Sequence, residues 1–354
     1  MLALIYFFAA AIVTTYTFEF VRGWWSWARK LEDSRIQEEA STVRTRSARS
    51  TRSLSIVIPA YNEEKRLPSV LRSTIEYLMK RRDKEGSSFT YEIVVVDDGS
   101  TDQTAVKAWL CAKELGAEDA VRVFQTQVNS GKGAAVRTGC LKAEGDLVLM
   151  MDADGATELE HGLEALEFAM CTRLMKKAKS AKGQGVNEGY SRVTGSGKMG
   201  RGEKTGHGII QEAGGYSFLS KQTIACFGSR AHLEQEDIVT KRTKIRNFAM
   251  HGFHLLVFLV VGGSIRDTQC GFKLFTRETA LALFRNQRLK RWCFDVEILS
   301  IAQRLKVPIL EAQVKWQEKE GSKLKILHVF HMLLELCTIL AMYRLGFWRV
   351  TGMN

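Results

Sequence analysis

The sequence predicts an α/β fold in which a largely parallel sheet is covered by helices. Four short runs, at 54–60, 91–98, 121–126 and 146–154, are rich in β-branched and other apolar residues. Near-continuous apolar runs of this kind are typical of strands that are buried on both faces. Helical stretches separate the runs, which favours parallel pairing through helical crossovers. With 354 residues, the chain can also build a large core.

Charge and cysteine content narrow the possible partners and compartment. The formal net charge of +12 favours an anionic partner, which could be nucleic acid, a phospholipid surface or a phosphate-rich small molecule. The seven cysteines are scattered, odd in number and without a C-x-x-C pair. They therefore predict neither a disulfide framework nor a zinc site, and they favour a reducing compartment.

The amino terminus predicts a membrane anchor. Residues 1–22 begin with the uncharged apolar run "MLALIYFFAAAIVTTYTF", which is just long enough to span a bilayer. A cleaved signal peptide is the alternative, but the run lacks a basic start and a small-residue cleavage pattern. Tryptophans and basic residues follow it, as expected of a retained anchor whose remaining chain is cytosolic. Residues 23–52 then predict a basic juxtamembrane linker.

Three later stretches depart from the strand-and-helix alternation. Residues 173–215 are rich in Gly and Lys and predict a surface insertion. The apolar stretch inside 244–264 is too short to span a bilayer. Residues 326–354 contain a longer apolar stretch that also carries His, Glu and Arg. We expect the last two stretches to form helices in the membrane interface, although core helices, or for the second a re-entrant or spanning hairpin, remain alternatives.

Carboxylates follow three of the predicted strands. Glu63 follows the first strand, Asp98 ends the second, and Asp152 and Asp154 come directly after "VLMM". Since ligands of open α/β sheets bind at the carboxyl ends of strands, these acids predict a site. Any one of them alone could belong to a turn or a helix cap. Together they repel one another unless a cation lies among them.

The Asp-x-Asp pair and a glycine-rich turn indicate the identity of that cation and of the substrate group that would bind beside it. Two carboxylates with substrate phosphates suit Mg²⁺ or Mn²⁺. "NSGKGAAVRTG" places Lys132 between glycines at the start of a helix, which could hold a diphosphate. The alternative for this turn is a plain strand-to-helix connection with a solvated lysine.

Eight motifs together resemble a known family. "SIVIPAYNEEKRLP", "VVVDDGSTDQT", "NSGKGAAVRTG" and "MDADGAT" resemble the inverting nucleotide-sugar glycosyltransferases of family 2. "GSRAHLE", "RDTQCGFKLFTRE", "RWCFDVEIL" and "VKWQEKEGSKL" look like the polyprenyl-phosphate branch, and most like its dolichyl-phosphate glucosyltransferases. The resemblance covers residues 53–325 and implies a Rossmann-like GT-A domain.

The resemblance implies an activity and a location. The expected reaction moves glucose from UDP-glucose to dolichyl phosphate with inversion and with Mg²⁺ or Mn²⁺. The expected location is the endoplasmic reticulum membrane, with the catalytic domain facing the cytosol. The product is expected to serve lipid-linked oligosaccharide assembly and protein N-glycosylation. Mannosyl transfer from GDP-mannose is one alternative. A basic, membrane-tethered protein that binds nucleic acid or lipid is another, but it leaves the strand-end acids unexplained.

The resemblance also implies residue roles. Those expected at the nucleotide are Ala60, Glu63, Asp98 and Lys132, and those expected at the metal are Asp152 and Asp154. Those expected around the sugar and the acceptor phosphate are Asp267, Gln269, Lys273, Arg230, Arg266 and Lys323. Asp154, Asp267 and Gln269 are the expected catalytic residues, Asp267 either orienting a sugar hydroxyl or acting as base. Mannosyl-transferring relatives often have a Gln at the position of Ala156, which therefore favours the glucosyl branch.

Overall fold

The computed structural model describes residues 19–31, 52–181, 206–232, 255–263, 265–317, 319 and 326–352. Within these residues, seven strands form one sheet in the order β3-β2-β1-β4-β6-β5-β7. The strands are β1 (Arg52–Ala60), β2 (Tyr91–Asp97), β3 (Val121–Gln125), β4 (Gly145–Met151), β5 (Ala225–Ser229), β6 (Phe272–Thr276) and β7 (Ile309–Gln313). β6 is antiparallel to β4 and β5, and every other pairing is parallel.

Helices cover both faces of the sheet. They are α1 (19–31), α2 (Leu67–Glu85), α3 (Thr104–Glu114), α4 (Lys132–Lys142), α5 (Leu159–Ala181), α6 (Gly206–Glu212), α7 (Tyr216–Ser220), α8 (255–261), α9 (Arg277–Asn286), α10 (Phe294–Arg304) and α11 (Ile326–Arg344). One core lies under α2, α3, α5, α6 and α7. The other lies under α4, α9 and α10 and extends to α1, α8 and α11.

The four strands predicted from apolar runs are confirmed as β1 to β4. β1, β2 and β4 lie in the middle of the sheet and are buried along nearly their whole length. This burial explains why their sequences are apolar without alternation. β1 pairs in parallel with both β2 and β4, with Ala60 opposite Asp97. The carboxyl ends of the three strands therefore meet at one edge of the sheet.

Parts of the predicted segments differ from expectation. Residues 23–31, predicted as linker, belong to α1, whose Trp24 donates a hydrogen bond to Thr338 of α11 at 2.7 Å. The predicted insertion at 173–215 begins within α5, which continues to Ala181, and ends beyond α6. The reason is that lysine and alanine are good helix formers, so the change in composition precedes the end of the helix. Residues 182–205, most of the predicted anchor and residues 244–254 lie outside the described residues.

The apolar surface of the described residues is concentrated on three elements in contact. Hydrogen bonds join α11 to α1 through Trp24 and to α8 through Arg344, which donates to the carbonyl of Leu259. Nine of the sixteen large apolar side chains that are exposed belong to α1, α8, and α11 with the turn after it: Phe20, Val21, Trp27, Leu255, Phe258, Leu259, Leu334, Leu345 and Phe347. Among the helices that the structure describes, none has the combination of length and hydropathy required to cross a bilayer.

Candidate active site

A cavity of about 550 Å³ opens at the carboxyl ends of β1, β2 and β4. Eight of the residues predicted for the site line it: Ala60, Glu63, Asp98, Lys132, Asp152, Asp154, Arg230 and Gln269. Four others do not, since Asp267, Arg266 and Lys273 are absent from its wall and Lys323 lies outside the described residues. The predicted edge of the sheet is therefore the edge at which the cavity forms.

The Asp98 carboxylate is fixed by backbone amides. Its two oxygens accept hydrogen bonds from the amides of Ser130, at 2.9 Å, and Gly131, at 2.6 Å. Gly99 follows with φ +68°, and a Cβ there would lie 2.7 Å from the carbonyl carbon of Val128. Only glycine permits this close approach of the two loops. Asp98 thus has one defined position at the cavity wall.

Glu63 is paired with a cation that the sequence motifs did not single out. The Arg66 guanidinium donates to both carboxylate oxygens of Glu63, at 2.7 and 2.6 Å. Both residues line the cavity. This bidentate pair places a permanent positive charge beside the first predicted carboxylate.

Asp152 and Asp154 line the cavity after the end of β4. The Lys132 ammonium lies 2.6 Å from Oδ1 of Asp152. Burial lowers the pKa of Lys132, but Asp152 and the other acids nearby outweigh it, so the pKa is raised and the lysine stays charged. Asp152 also packs against Gly271, where a Cβ would come within 2.0 Å of Oδ2. The positions of Asp152 and Lys132 therefore depend on each other and on Gly271.

The two aspartates suit a divalent cation that prefers oxygen ligands. Oδ1 of Asp154 accepts a hydrogen bond from the amide of Ala156 at 2.9 Å, which orients that carboxylate. Among the described residues, no cluster of three or more His, Cys, Asp or Glu side chains is arranged to bind a metal. Two carboxylates nevertheless fit Mg²⁺ or Mn²⁺, because these ions usually complete their shell with substrate phosphate and water.

The glycine-rich turn before α4 packs against protein rather than facing the cavity with its amides. The amides of Gly133 and Ala134 donate to the carbonyls of Arg291 and Lys290, at 3.1 and 3.0 Å. Gly131 has φ +109°, and a Cβ there would lie 2.5 Å from the Lys290 carbonyl oxygen. The turn thus contributes the side chain of Lys132 to the cavity, and its glycines allow the close packing of the segment 290–291.

Arg230 and Asp267 form a second bidentate pair. Arg230 donates from Nε to Oδ2 of Asp267 at 2.7 Å and from Nη2 to Oδ1 at 2.9 Å. Its guanidinium also stacks on the Trp316 ring, 5.3 Å from the centroid. Burial favours a higher pKa for Asp267, but the hydrogen bonds and charge of Arg230 outweigh it and hold the pKa below its ordinary value. An acid that is so stabilised as an anion is a poor base, and the geometry favours a role in orienting Arg230.

Lys273 differs from its prediction because of strand parity. In β6 the side chain of Phe272 packs in the core under α5, so Lys273 points to the opposite face. There the fully buried Lys273 ammonium pairs with Asp295 of α10 at 2.7 Å and donates to the carbonyl of Cys270. Lys273 is therefore buried in the core and does not line the cavity. Arg266 is exposed and outside the cavity wall, so neither residue is placed to contact an acceptor directly.

The cavity also contains residues that sequence reasoning missed. They are Tyr61, Arg66, Arg291, Trp292, Trp316 and Lys319. Arg291 and Trp292 begin the motif "RWCFDVEIL", which carries part of the resemblance but to which no site role was assigned. Their position depends on the packing of the segment 290–291 against α4, which no local pattern reveals.

The family model Glycosyl transferase family 2 matches residues 55–195. The chain is 41% identical to the human dolichyl-phosphate beta-glucosyltransferase over 301 residues, which is 85% of this chain and 78% of the relative. The enzyme of the same name from Drosophila melanogaster is 40% identical, with 85% and 78% covered. The Saccharomyces cerevisiae enzyme is 35% identical, with 84% and 76% covered.

Glucosyl-3-phosphoglycerate synthase from Mycobacterium tuberculosis, in complex with phosphoglyceric acid, aligns with a TM-score of 0.46 at 16% identity. The alignment covers 84% of this chain and 81% of that chain.

Proposed function

The chain belongs to the dolichyl-phosphate β-glucosyltransferases, within glycosyltransferase family 2, and we propose that it transfers glucose from UDP-glucose to dolichyl phosphate with inversion at the anomeric carbon. It is a glycosyltransferase with an α/β domain of the GT-A type. The identity of the donor, the use of a metal, the residue roles and the membrane location belong to the proposal.

One observation carries the proposal. Four acids at the ends of β1, β2 and β4 line a single cavity together with Lys132, Arg66 and Arg230. Fixed cations and carboxylates in one cavity suit a nucleoside diphosphate sugar, which has a polar base and ribose at one end and a diphosphate at the other. We assign Ala60, Glu63 and Asp98 to the uridine end.

The diphosphate end is assigned to Lys132, Asp152 and Asp154. Mg²⁺ or Mn²⁺ held by the two aspartates would supply positive charge that stabilises the departing UDP. Lys132 lies beside Asp152 and adds its own charge to the same end of the cavity. In this proposal Lys132 binds a diphosphate oxygen as negative charge develops there.

The acceptor needs little activation. A phosphate monoester has its second pKa at about 6 and is therefore an anionic nucleophile near neutral pH. Its oxygen attacks the anomeric carbon from the face opposite to UDP, so a new carbon–oxygen bond forms as the bond to UDP breaks. An α-linked glucose thereby becomes a β-linked glucosyl phosphate. We assign Arg230, which is held by Asp267, to the acceptor phosphate.

A membrane location is supported by the contacting elements α1, α8, and α11 with the turn after it, which carry nine of the sixteen exposed large apolar side chains that the structure describes. The uncharged run at 1–18 leads directly into α1, where Arg22, Arg29 and Lys30 follow. We propose that the run anchors the chain in the endoplasmic reticulum membrane, and that these elements lie at its cytosolic surface. Protease protection of the catalytic domain in sealed microsomes would contradict the cytosolic orientation.

The donor is tested by a panel. The purified full chain in detergent is given dolichyl phosphate, Mn²⁺ and radiolabelled UDP-glucose, GDP-mannose or UDP-N-acetylglucosamine. We expect label in the lipid product from UDP-glucose alone, with β stereochemistry. Transfer from GDP-mannose instead, or an α-linked product, would contradict the proposal.

A further inference from the structure

Five cationic side chains line the cavity, and three of them are paired with carboxylates of the chain. Arg66, Lys132 and Arg230 are each held by a carboxylate of the chain. Within the described residues, the Arg291 guanidinium makes no salt bridge and no hydrogen bond with protein. Arg291 therefore brings to the cavity a charge that an incoming anion can neutralise. The fifth cation, Lys319, lies on a stretch whose neighbours on both sides are outside the described residues.

Arg291 is nevertheless held by its backbone. The carbonyls of Lys290 and Arg291 accept hydrogen bonds from the first turn of α4, the turn that carries Lys132. A Cβ at Gly131 would lie 3.0 Å from Cγ of Arg291, so the arginine side chain passes directly over that glycine. This packing fixes where Arg291 enters the cavity.

The other end of the same segment is fixed by α11. The amide of Cys293 donates to Oε2 of Glu335 at 3.0 Å, and the Cys293 thiol donates to the carbonyl of Met332 at 3.3 Å. Glu335 is buried on α11. Burial raises its pKa, while the nearby Arg291 charge acts in the opposite direction. Glu335 thus holds the segment 290–293 by a hydrogen bond and attracts the Arg291 charge without pairing with it.

We propose that Arg291 binds the phosphate of the lipid acceptor and that Glu335, acting from α11, is the positioning residue for Arg291. The inference rests on the proposed function. The acceptor is the favoured phosphate because the donor diphosphate already has Lys132 and the two aspartates. In addition, α11 belongs to the apolar surface from which a lipid would enter. A guanidinium suits this task, since it binds phosphate through two parallel hydrogen bonds.

The first test uses Arg291→Gln, with the exposed Arg173→Gln of α5 as the matched control. We expect the KM for dolichyl phosphate to rise by about tenfold or more, the loss of a charge-assisted hydrogen bond. The KM for UDP-glucose is expected to stay within about twofold of the wild-type value, because donor and acceptor contacts are separate. Arg291→Lys should recover part of the affinity, and Arg173→Gln should behave as wild type.

The second test separates positioning from fold support. Glu335→Gln keeps an oxygen that can accept from the Cys293 amide and removes only the charge. We expect the acceptor KM to rise by about threefold to tenfold with an unchanged melting temperature, and the exposed Glu278→Gln of α9 to have no effect. If Glu335 acts through Arg291, the double variant should be no worse than Arg291→Gln alone.

The outcomes are distinct. Additive effects of the two substitutions on the acceptor KM would overturn the positioning role. A raised KM for UDP-glucose with normal acceptor kinetics would overturn the acceptor assignment and place Arg291 at the donor. If wild type transfers no glucose to dolichyl phosphate, the proposed function itself fails. If wild type is active and Arg291→Gln is equally active, only the present inference fails.

Discussion

Two groups of charged side chains lie at opposite edges of the sheet and serve different purposes. The α2–α5 cluster consists of Arg81, Glu85, Glu167 and Tyr216, near the amino ends of the strands. Its Arg81, Glu85 and Glu167 side chains are 7%, 2% and 0% exposed. In the cavity at the other edge, the paired Lys132 and Asp152 side chains are 24% and 32% exposed.

The α2–α5 cluster pairs its charges within the chain, although Nη1 of Arg81 is buried without a hydrogen-bond partner. Arg81 donates to Glu85 at 2.6 Å, to Glu167 at 3.0 Å and to the Tyr216 hydroxyl at 2.6 Å. Two carboxylates share one cation there, and burial raises the pKa of Glu167 to about 7. A buried acid with a shifted pKa is therefore not sufficient evidence of an active site. What distinguishes the cavity is that its charges remain accessible to a ligand.

The largest expected effect tests the structural side of this comparison. Arg81→Met should lower the free energy of unfolding by about 4 kcal/mol, because it leaves two buried carboxylates without their cation. The exposed neighbour Lys80→Met should change it little. Chemical denaturation followed by circular dichroism measures both. If Arg81→Met were as stable as wild type, the α2–α5 cluster would not have the structural role that separates it from the cavity. If Arg81→Met were folded but inactive, the cluster would share the functional role of the cavity.

The second largest expected effect tests the functional role of the cavity. Asp154→Asn should lower kcat by about 100-fold, or about 3 kcal/mol in the barrier, because the leaving UDP loses electrostatic stabilisation. The unfolding transition should stay at its wild-type position, since Asp154 lines the cavity rather than the core. Steady-state kinetics beside the exposed control Asp119→Asn measure this. Full activity of Asp154→Asn would show that the metal assignment is wrong.

The free energy of unfolding should depend on pH through the titration of Glu167. The pKa of Glu167 is about 7 in the folded chain and has an ordinary value of 4.5, so between these values the folded state holds a proton that the unfolded state has released. The contribution of Glu167 to the free energy of unfolding is therefore largest below pH 4.5. It falls as the pH rises to 7, by at most about 1.4 kcal/mol per pH unit for one proton. Glu167→Gln should abolish this slope in denaturation experiments at each pH. An unchanged slope in that variant would assign the proton to another group.

The smallest expected effect concerns the Asp267–Arg230 pair. Asp267→Asn should raise the KM for dolichyl phosphate by about fivefold, roughly 1 kcal/mol, because Arg230 keeps its position on Trp316 but loses a charged partner. The pH dependence of kcat should not change, since Asp267 is not the base in this account. If the pH–rate profile of the variant lost its acidic limb, Asp267 would be assigned as the catalytic base after all.

The sequence located the half of the cavity that we assign to the donor (the donor half) better than the half that we assign to the acceptor (the acceptor half), for a physical reason. Asp98, Asp152 and Asp154 directly follow buried strands, and parallel pairing brings such strand ends together whatever the loops do. The acceptor half is built by segments far apart in the chain, such as those of Arg230, Arg291 and Trp316, whose meeting depends on packing. Lys273 shows the same limit: its motif was recognised, but strand parity directs it away from the cavity.

The most direct test of the account compares three proteins in one assay of glucose transfer from radiolabelled UDP-glucose to dolichyl phosphate. At a temperature where all three are folded, wild type and Arg81→Met should form labelled lipid at similar rates. Asp154→Asn should form about 100-fold less. Equal rates for wild type and Asp154→Asn, or no labelled lipid from wild type, would contradict the claim that this cavity performs the transfer.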